Sequence, residues 1–162
     1  MSTLSTLKID GIAGESAHAD HPGEIDLLSW SWGAHNDPGP APPTAGAGRA
    51  RPTADLLSFT HRYDRASPLL ARALAQGVAL KQAVLTARKN RTGQQEFLKV
   101  VLREVYLASV SFGTGPGGEA DVIETVTLRF GALDLGYQSA DAGGAPSPEL
   151  RFGWNVHTGQ VS

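Results

Sequence analysis

The chain has 162 residues with 14 Lys or Arg and 16 Asp or Glu, which give a formal net charge of −2. This length predicts a single domain over residues 1–162 with a substantial core, and the balanced charge argues against a general affinity for nucleic acid or anionic membranes. The absence of cysteine excludes disulfides and thiolate chemistry, and we expect neither a Sec-type signal peptide nor an apolar segment of the ~20 residues that cross a bilayer.

Strand patterns dominate the first third of the chain. In a strand, successive side chains point to opposite faces, so Trp30 and Trp32 share one very apolar face while Ser29 and Ser31 share a small, polar one. The tryptophans are expected to anchor the core or an interface, because each buries ~200 Å². The predicted strands of this region are residues 3–9, 24–32 and 55–63.

Residues 33–52 are predicted to form an extended loop because they are rich in proline, glycine and alanine. No packed core can be built from such a composition. Long loops in compact domains usually have a function, so this loop is a candidate for contact with another molecule.

One short α-helix is predicted at about residues 68–76. Ser67 can cap it, Pro68 suits its first position, and Gly77 can end it in a left-handed conformation. Leu70 and Leu74 form a narrow apolar stripe, so the helix is expected to pack on the sheets.

Strands resume after the helix, and Gly131 is predicted to mark a bulge or bend in one of them. Residues 90–93 are a hairpin-turn signal and residues 139–149 a flexible linker. The pattern is therefore mainly β and predicts an antiparallel β-barrel or two-sheet domain with one short helix. The predicted strands here are residues 80–89, 95–111, 122–138 and 150–156.

The stretch "GTGPGG" (residues 113–118) matches the G-x-G-x-x-G pattern of dinucleotide-binding loops. That fingerprint needs a strand before it and a helix after it, so that the phosphates lie on the helix N-terminus. The next segment, "DVIETVTLRF", alternates like a strand. A hairpin loop is therefore favoured over a cofactor site, and no cofactor is predicted.

The stretch "HADH" could place His18, Asp20 and His21 around a metal ion. Zinc sites typically hold their ligands on a rigid frame with supporting partners, so a solvated loop is favoured. His61 alternates with Phe59 and is expected to be packed or to lie on a sheet surface. With no nucleophile elbow and no convergent titratable set, the protein is not predicted to be an enzyme.

Six stretches, taken in order, resemble the Hcp (haemolysin-coregulated protein) family, which forms the tube of bacterial type VI secretion. The resemblance covers residues 7–156. The matching stretches are "GESAHADHPGEIDLLSWSWG", "DLLSFTHRYDRASPLL", "AVLTARK", "FLKVVLREVYLASVSFG", "ETVTLRFGALDLGYQ" and "FGWNV". The Pro- and Ala-rich residues 33–52 depart from the Gly/Ser-rich or charged loop common in the family.

The resemblance implies a small two-sheet β-barrel flanked by a helix, which assembles into a homohexameric ring whose copies stack into a tube. It also implies sheath, baseplate and spike proteins as partners, and small secreted effectors as cargo in the lumen. Such a protein is cytoplasmic before firing and is then secreted without a signal peptide by the type VI apparatus. No cofactor, nucleic acid or membrane partner is expected.

The resemblance also assigns roles to residues. Ser29 and Ser31 would face the lumen and its cargo. The expected structural anchors are Trp30, Trp32 and Trp154. The expected ring-stacking residues of the loop are Asn36, Asp37, Pro38, Pro40, Arg49 and Arg51. The alternative is a monomeric ligand-binding β-barrel, which the size of the purified particle would distinguish from a ring.

Overall fold

A computed structural model describes residues 3–37, 51–89, 95–115, 121–139 and 143–162. Within these residues there are ten β-strands and one helix, so the predicted mainly β fold with a single short helix is confirmed. The elements are β1 (Thr3–Ile9), β2 (Ile25–Leu27), β3 (Ser29–Ser31), β4 (Ala34–Asp37), β5 (Arg51–Ala54), β6 (Leu57–Arg62), α1 (Ser67–Gln76), β7 (Leu80–Lys89), β8 (Glu96–Thr114), β9 (Val122–Tyr137) and β10 (Leu150–Asn155).

Eight of the described strands form one antiparallel sheet in the order β2-β1-β7-β8-β9-β6-β3, with β10 also paired to β9. The long strands β8 and β9 each run through two parts of this sheet. β9, for example, pairs with β6 along residues 123–128 and with β10 along residues 132–137. We call β3, β6, the first half of β9 and the second half of β8 the four-strand half. The remaining strand segments form the six-strand half.

The sheet closes on itself through the stretch that carries the tryptophans. β2 pairs with β1 at one end of the sheet and β3 pairs with β6 at the other. At the joint between them, the backbone N–H of Leu28 donates to the carbonyl of Thr60 over 2.8 Å. The predicted strand 24–32 is therefore two strands, because its two parts pair with neighbours at opposite ends of the curled sheet. The result is a nearly closed barrel.

Apolar side chains from both halves fill the barrel, and the strand alternation explains which ones. Leu57 and Phe59 of β6 point inward, as do Val126 and Leu128 of β9, and all four are at most 1 % exposed. Full burial of such a side chain contributes roughly 1.5–3 kcal/mol. The other buried apolar residues of the core include Leu7, Ile9, Ile25, Leu70, Leu85, Leu102, Val105 and Leu133.

The helix begins differently from the sequence prediction. Ser67 is its first residue and does not cap it: the N-cap is Ala66, without a side-chain cap bond. Instead the Asp64 N–H donates to Ser67 Oγ over 3.1 Å, and Asp64 Oδ1 accepts the Ala66 N–H over 2.8 Å. The Ser67 hydroxyl is thus engaged by the turn that precedes the helix and does not cap it. The left-handed Gly77 at the C-terminus, with φ of 62°, is confirmed.

The irregularity of the long strands lies in β8. The register between β8 and β9 shifts between Leu107 and Ser109, so the bulge is not at Gly131. Gly131 has a different role, since a Cβ there would lie 2.5 Å from Glu104 Oε2 on the neighbouring strand. Glu104 itself has φ of 54°, a conformation that is costly for a residue with a side chain.

The ends of the predicted loop 33–52 pair with each other. β4 and β5 form a separate two-stranded antiparallel sheet, in which Asn36 lies opposite Pro52 and Asp37 opposite Arg51. We call this hairpin, residues 34–37 with 51–54, the arm. The rest of the predicted loop, 38–50, lies outside the described residues, as do the predicted turn 90–93 and residues 116–118 of "GTGPGG".

Candidate functional site: a hydroxyl-lined sheet face

Ser29 and Ser31 lie exposed on the outer face of the barrel, while Trp30 between them points inward. Each serine begins a row of small hydroxyl side chains across four strands. In the register of the sheet, one row is Ser31, Ser58, Thr127 and Ser109, and the other is Ser29, Thr60, Thr125 and Ser111. Because alternate residues of a strand share a face, all eight project to the same side. We call these eight residues the hydroxyl face.

The hydroxyls of this face bond to one another. Ser29 Oγ lies 2.6 Å from Thr60 Oγ1, and Ser109 Oγ lies 2.5 Å from Thr127 Oγ1. None of the eight side chains is ionisable. Cross-strand hydroxyl pairs of this kind stabilise a sheet modestly and leave a flat, neutral surface. The arrangement can offer hydrogen bonds to a neighbouring molecule without selecting its charge.

Charged side chains appear only where the strands leave the face. At one end Arg62 follows Thr60 on β6, and its Nε lies 3.3 Å from Asp121 Oδ2. At the other end Arg129 follows Thr127 on β9 and lies opposite Tyr106. Both arginines are exposed. The neutral face is therefore bounded at its two ends by cations.

An apolar row stands directly behind the hydroxyl face. Trp30, Phe59, Val126 and Val110 occupy the positions between the two hydroxyl rows and point into the barrel. The Trp30 Nε1–H donates to Ser5 Oγ of β1 over 3.1 Å, which ties the face to the six-strand half. This row fixes the strands that carry the hydroxyls, because packed interiors tolerate little displacement.

The other two tryptophans lie elsewhere. Trp32 follows β3 at the base of the arm, where its Nε1–H donates to the Asp55 carbonyl over 2.9 Å. Trp154 lies on β10 and is 7 % exposed, with its ring centroid 6.4 Å from that of Phe152. All three tryptophans pack against apolar neighbours, so the anchoring role predicted for them is physically reasonable at each position.

The residues predicted to stack rings are only partly described. Asn36 and Asp37 lie at the outer end of β4, where every residue is exposed. Near the base of the arm, His35 Nδ1 lies 3.3 Å from Asp55 Oδ1. An isolated two-stranded hairpin is at best marginally stable, so an exposed arm gains stability from contact with another surface. Pro38, Pro40 and Arg49 lie outside the described residues, as does the side chain of Arg51.

The histidines considered as metal ligands have other contacts. His21 Nδ1 lies 2.6 Å from Glu24 Oε2 and its Nε2 lies 2.6 Å from Glu96 Oε1, so two carboxylates occupy both ring nitrogens. His18 Nδ1 accepts the backbone N–H of Asp20. Across the described ranges, no group of three His, Cys, Asp or Glu is placed to hold a metal ion.

His61 is packed, as one of the two sequence expectations had it. It is fully buried, and its Nε2 lies 2.7 Å from Oε1 of the equally buried Glu124. The "GTGPGG" segment begins within the last two residues of β8, and the next described element is another strand, β9, which agrees with a hairpin rather than a dinucleotide site. No described helix is long and apolar enough to cross a membrane.

Six of the eight residues of the hydroxyl face were not singled out from the sequence, although a signal exists. Each strand of the face carries a hydroxyl–apolar–hydroxyl triplet. The triplets are Ser29-Trp30-Ser31, Ser58-Phe59-Thr60, Ser109-Val110-Ser111 and Thr125-Val126-Thr127. Four such triplets in strands of one sheet predict a shared neutral face, once the pairing of the strands is known.

The fold is that of a small, nearly closed antiparallel β-barrel with one helix, a neutral outer face and an exposed hairpin. The family model described as "Type VI secretion system effector, Hcp" matches residues 6–137. The chain therefore belongs to the Hcp family of type VI secretion, which confirms the resemblance drawn from the sequence.

Individual relatives agree with this assignment. Protein hcp1 of Pseudomonas aeruginosa is 39 % identical over 152 residues, covering 93 % of each chain. The crystal structure of Hcp1 from Salmonella typhimurium aligns over 100 % of both chains with a TM-score of 0.80 and 33 % identity. A structure described as a type six secretion system protein covers 99 % of this chain and 100 % of its own, with a TM-score of 0.87; at 23 % identity it supports the fold alone.

Proposed function

We propose that this chain is the repeating subunit of the type VI inner tube. Six copies close head-to-tail into a ring, rings stack into a tube that contacts the sheath, baseplate and spike, and the tube is exported with small effectors in its lumen. Membership of the Hcp family supports this proposal. The observation that carries it is the four-strand half, which combines a neutral face with two sheet edges that have no described partner strand.

The first open edge belongs to β8. Along residues 106–114 this strand pairs with β9 on one side, and no described strand lies on its other side. Monomeric proteins usually protect such an edge with charges or proline, whereas "YLASVSFGT" contains neither. Its Phe112 is 62 % exposed and lies tilted against Tyr63, with ring centroids 5.0 Å apart. An uncharged edge with an exposed aromatic pair favours pairing with another copy.

The second open edge belongs to β3, at the other end of the order β8-β9-β6-β3. The strands of this half alternate in direction, and their number is even. A further copy can therefore add its β8 beside β3 in the antiparallel sense, and the same contact can repeat. A heterologous contact of this kind closes into a ring if its rotation closes.

The dimensions fit a hollow ring. Strands lie about 4.8 Å apart, so four strands per copy span about 19 Å and six copies would enclose a circle about 37 Å across. The hydroxyl rows of successive copies would then continue one another around the lumen, with Ser29 and Ser31 at each border. A lumen lined by neutral hydroxyls leaves room for cargo and does not repel it by charge.

Substitution of Ser31 tests the lumen assignment. Ser31→Gln adds a long side chain, and we expect it to reduce the retention of co-purified effector while light scattering still shows a particle near six times 17.0 kDa. Ser31→Ala is the matched control, since it removes the hydroxyl without adding bulk and should retain more cargo than Ser31→Gln. Unaltered cargo binding by Ser31→Gln would reject the assignment.

The alternative, a monomeric ligand-binding barrel, has less support. Leu57, Phe59, Leu102, Val126 and Leu133 fill the interior with side chains that are at most 1 % exposed. An eight-stranded barrel is just wide enough to be filled in this way or to hold one small ligand. A purified particle of 17.0 kDa that does not change with concentration would favour this alternative and reject the ring.

A further inference from the structure

Three titratable side chains meet at the end of the barrel nearest the start of α1. His61 of β6 and Glu124 of β9 are directly opposite in the register, and both are 0 % exposed. His61 Nε2 lies 2.7 Å from Glu124 Oε1, and His61 Nδ1 lies 3.8 Å from Oδ1 of Asp64, in the turn before α1. The ring thus stands between two carboxyl groups, one close and one just out of hydrogen-bond range.

The site is short of one hydrogen bond. A neutral imidazole has a single N–H, and if Nε2–H donates to Glu124, the lone pair of Nδ1 faces the Asp64 carboxyl. Both His61 Nδ1 and Glu124 Oε2 are buried without a partner. Buried polar atoms left in this way are costly, so the site has a place for one more proton between Nδ1 and Oδ1.

The surroundings of Asp64 favour its protonated form. Burial raises the pKa of the Asp64 carboxyl above its ordinary value of 3.8, and the nearby Glu15 and Glu124 carboxylates act in the same direction. The Ala66 N–H and His61 oppose this rise without cancelling it. Glu15 approaches from the connection between β1 and β2, where its Oε2 accepts the Arg65 N–H over 3.1 Å.

We propose that Asp64, His61 and Glu124 form a proton-operated latch in each copy of the chain. As the pH falls, one proton from solvent is taken up between Asp64 Oδ1 and His61 Nδ1. The hydrogen bond that it forms joins the turn before α1 to the wall of the barrel, through His61 to Glu124. No other group is consumed, and raising the pH releases the proton.

The direction of the effect on stability follows from linkage. A carboxyl whose pKa is raised in the folded state adds stability at low pH, and this contribution is lost as the pH rises through the folded-state pKa. The latch therefore increases the stability of the folded copy in mild acid. Most surface carboxylates that gain ion pairs on folding do the reverse, since their contribution to stability falls as the pH falls. A tube subunit with this latch resists moderate acidification.

Asp64→Asn is the variant that tests the latch. The Asn is neutral at every pH and its oxygen can still accept the Ala66 N–H, so it stands in for the neutral carboxyl. We expect its thermal midpoint to exceed that of the wild type by about 2–4 °C at pH 8 and the difference to shrink as the pH falls through the raised pKa of Asp64. Both proteins are measured at the same concentration and in the same assembly state.

Two controls make the outcome decisive. Asp26→Asn alters an exposed carboxyl of β2 and should show no comparable pH-dependent difference from the wild type. In a His61→Gln background the pH-dependent advantage of Asp64→Asn should become smaller without disappearing, because the protonated carboxyl loses its acceptor while burial still disfavours the charged form. An undiminished advantage in that background would overturn the latch. A difference between Asp64→Asn and the wild type that is constant from pH 4 to 8 would overturn the latch. The latch lies within one copy, so particle mass tests the ring separately.

Discussion

Two outer surfaces of the same sheet differ sharply in chemistry. On the four-strand half the outward positions form the neutral hydroxyl face. On the six-strand half, the outward positions of β8, β9 and β10 carry Lys99, Arg103, Asp134 and Arg151, with Arg103 paired to Asp134 and Arg151 Nε 3.0 Å from Glu149 Oε2. These charged residues line a groove of about 420 Å³.

Side chains alternate between the two faces of a strand in both halves of the sheet. The difference in charge between the two outer surfaces therefore comes from which residues occupy the outward positions. Neutral hydroxyls cost little to desolvate and accept neighbours of either charge, whereas paired charges discriminate between partners. A tube subunit needs both properties, one towards its lumen and one towards its outside. On our proposal, the hydroxyl face is the inner wall and the charged surface faces away from it.

The largest effect is expected from the row behind the hydroxyl face. Phe59→Ala removes a ring that is 1 % exposed, and we expect it to lower the free energy of unfolding by about 3–5 kcal/mol in denaturant titrations. Leu150→Ala on the six-strand half is the matched control, because Leu150 is 72 % exposed and its loss should cost less than about 0.5 kcal/mol. Equal losses would show that the face does not depend on its apolar backing.

Deletion of residues 37–48 separates stacking from ring closure. The shortened protein should form rings of normal mass but no tubes, and should not be secreted, because the arm that flanks the deleted segment is exposed and forms a sheet separate from the barrel. Prolines limit the freedom of this segment before it docks, which lowers the entropic cost of contact. Electron microscopy and a secretion assay measure the result. Normal secretion of the shortened protein would show that the segment is only a spacer and does not mediate stacking.

A charge placed on the neutral face should make the two surfaces alike. Thr127→Lys adds a cation at the centre of the hydroxyl face, and we expect cargo retention to become salt-dependent, changing between about 0.05 and 0.5 M salt as screening increases. The wild type should show little such dependence. Val101→Lys, on the charged surface, is the control and should leave retention unchanged. Salt-dependent retention by the wild type would contradict a neutral cargo surface.

The smallest effect is expected where charges are already plentiful. Arg103→Ala breaks an ion pair whose side chains are 55 % and 40 % exposed, so we expect stability to change by no more than about 1 kcal/mol. Thermal unfolding at low and high salt measures it. A loss well above this value would mean that the charged surface contributes to the fold itself and does not serve only to meet partners.

Local patterns in the sequence were sufficient for much of the fold. The bounds of β1 and β7 agree with the alternation alone, and Gly77 ends the helix as its lack of a side chain predicts. Ser67 does not cap the helix because Asp64 forms a competing turn. The pairing of β4 with β5 was hidden by a composition typical of loops.

Features that depend on distant pairing could not be read in the same way. Ser29 and Ser31 were identified from their own strand, but the six hydroxyls beside them come from three strands whose order the sequence does not specify. The contact between His61 and Glu124 spans 63 positions, and only the register of β6 against β9 creates it. Likewise, the predicted strand 24–32 is interrupted at Leu28 because the residues before it pair with β1 and those after it pair with β6.

The placement of β9 sets the order in which the molecule can be completed during synthesis. β3 and β6 leave the ribosome early, yet β9, the second neighbour of β6, begins only at Val122. Until β9 is made, the Trp30 and Phe59 side chains lack part of the core they pack against, and the incomplete chain exposes apolar surface to solvent. Contacts between such remote segments slow folding, so a nascent chain of this design benefits from a chaperone until its last third emerges.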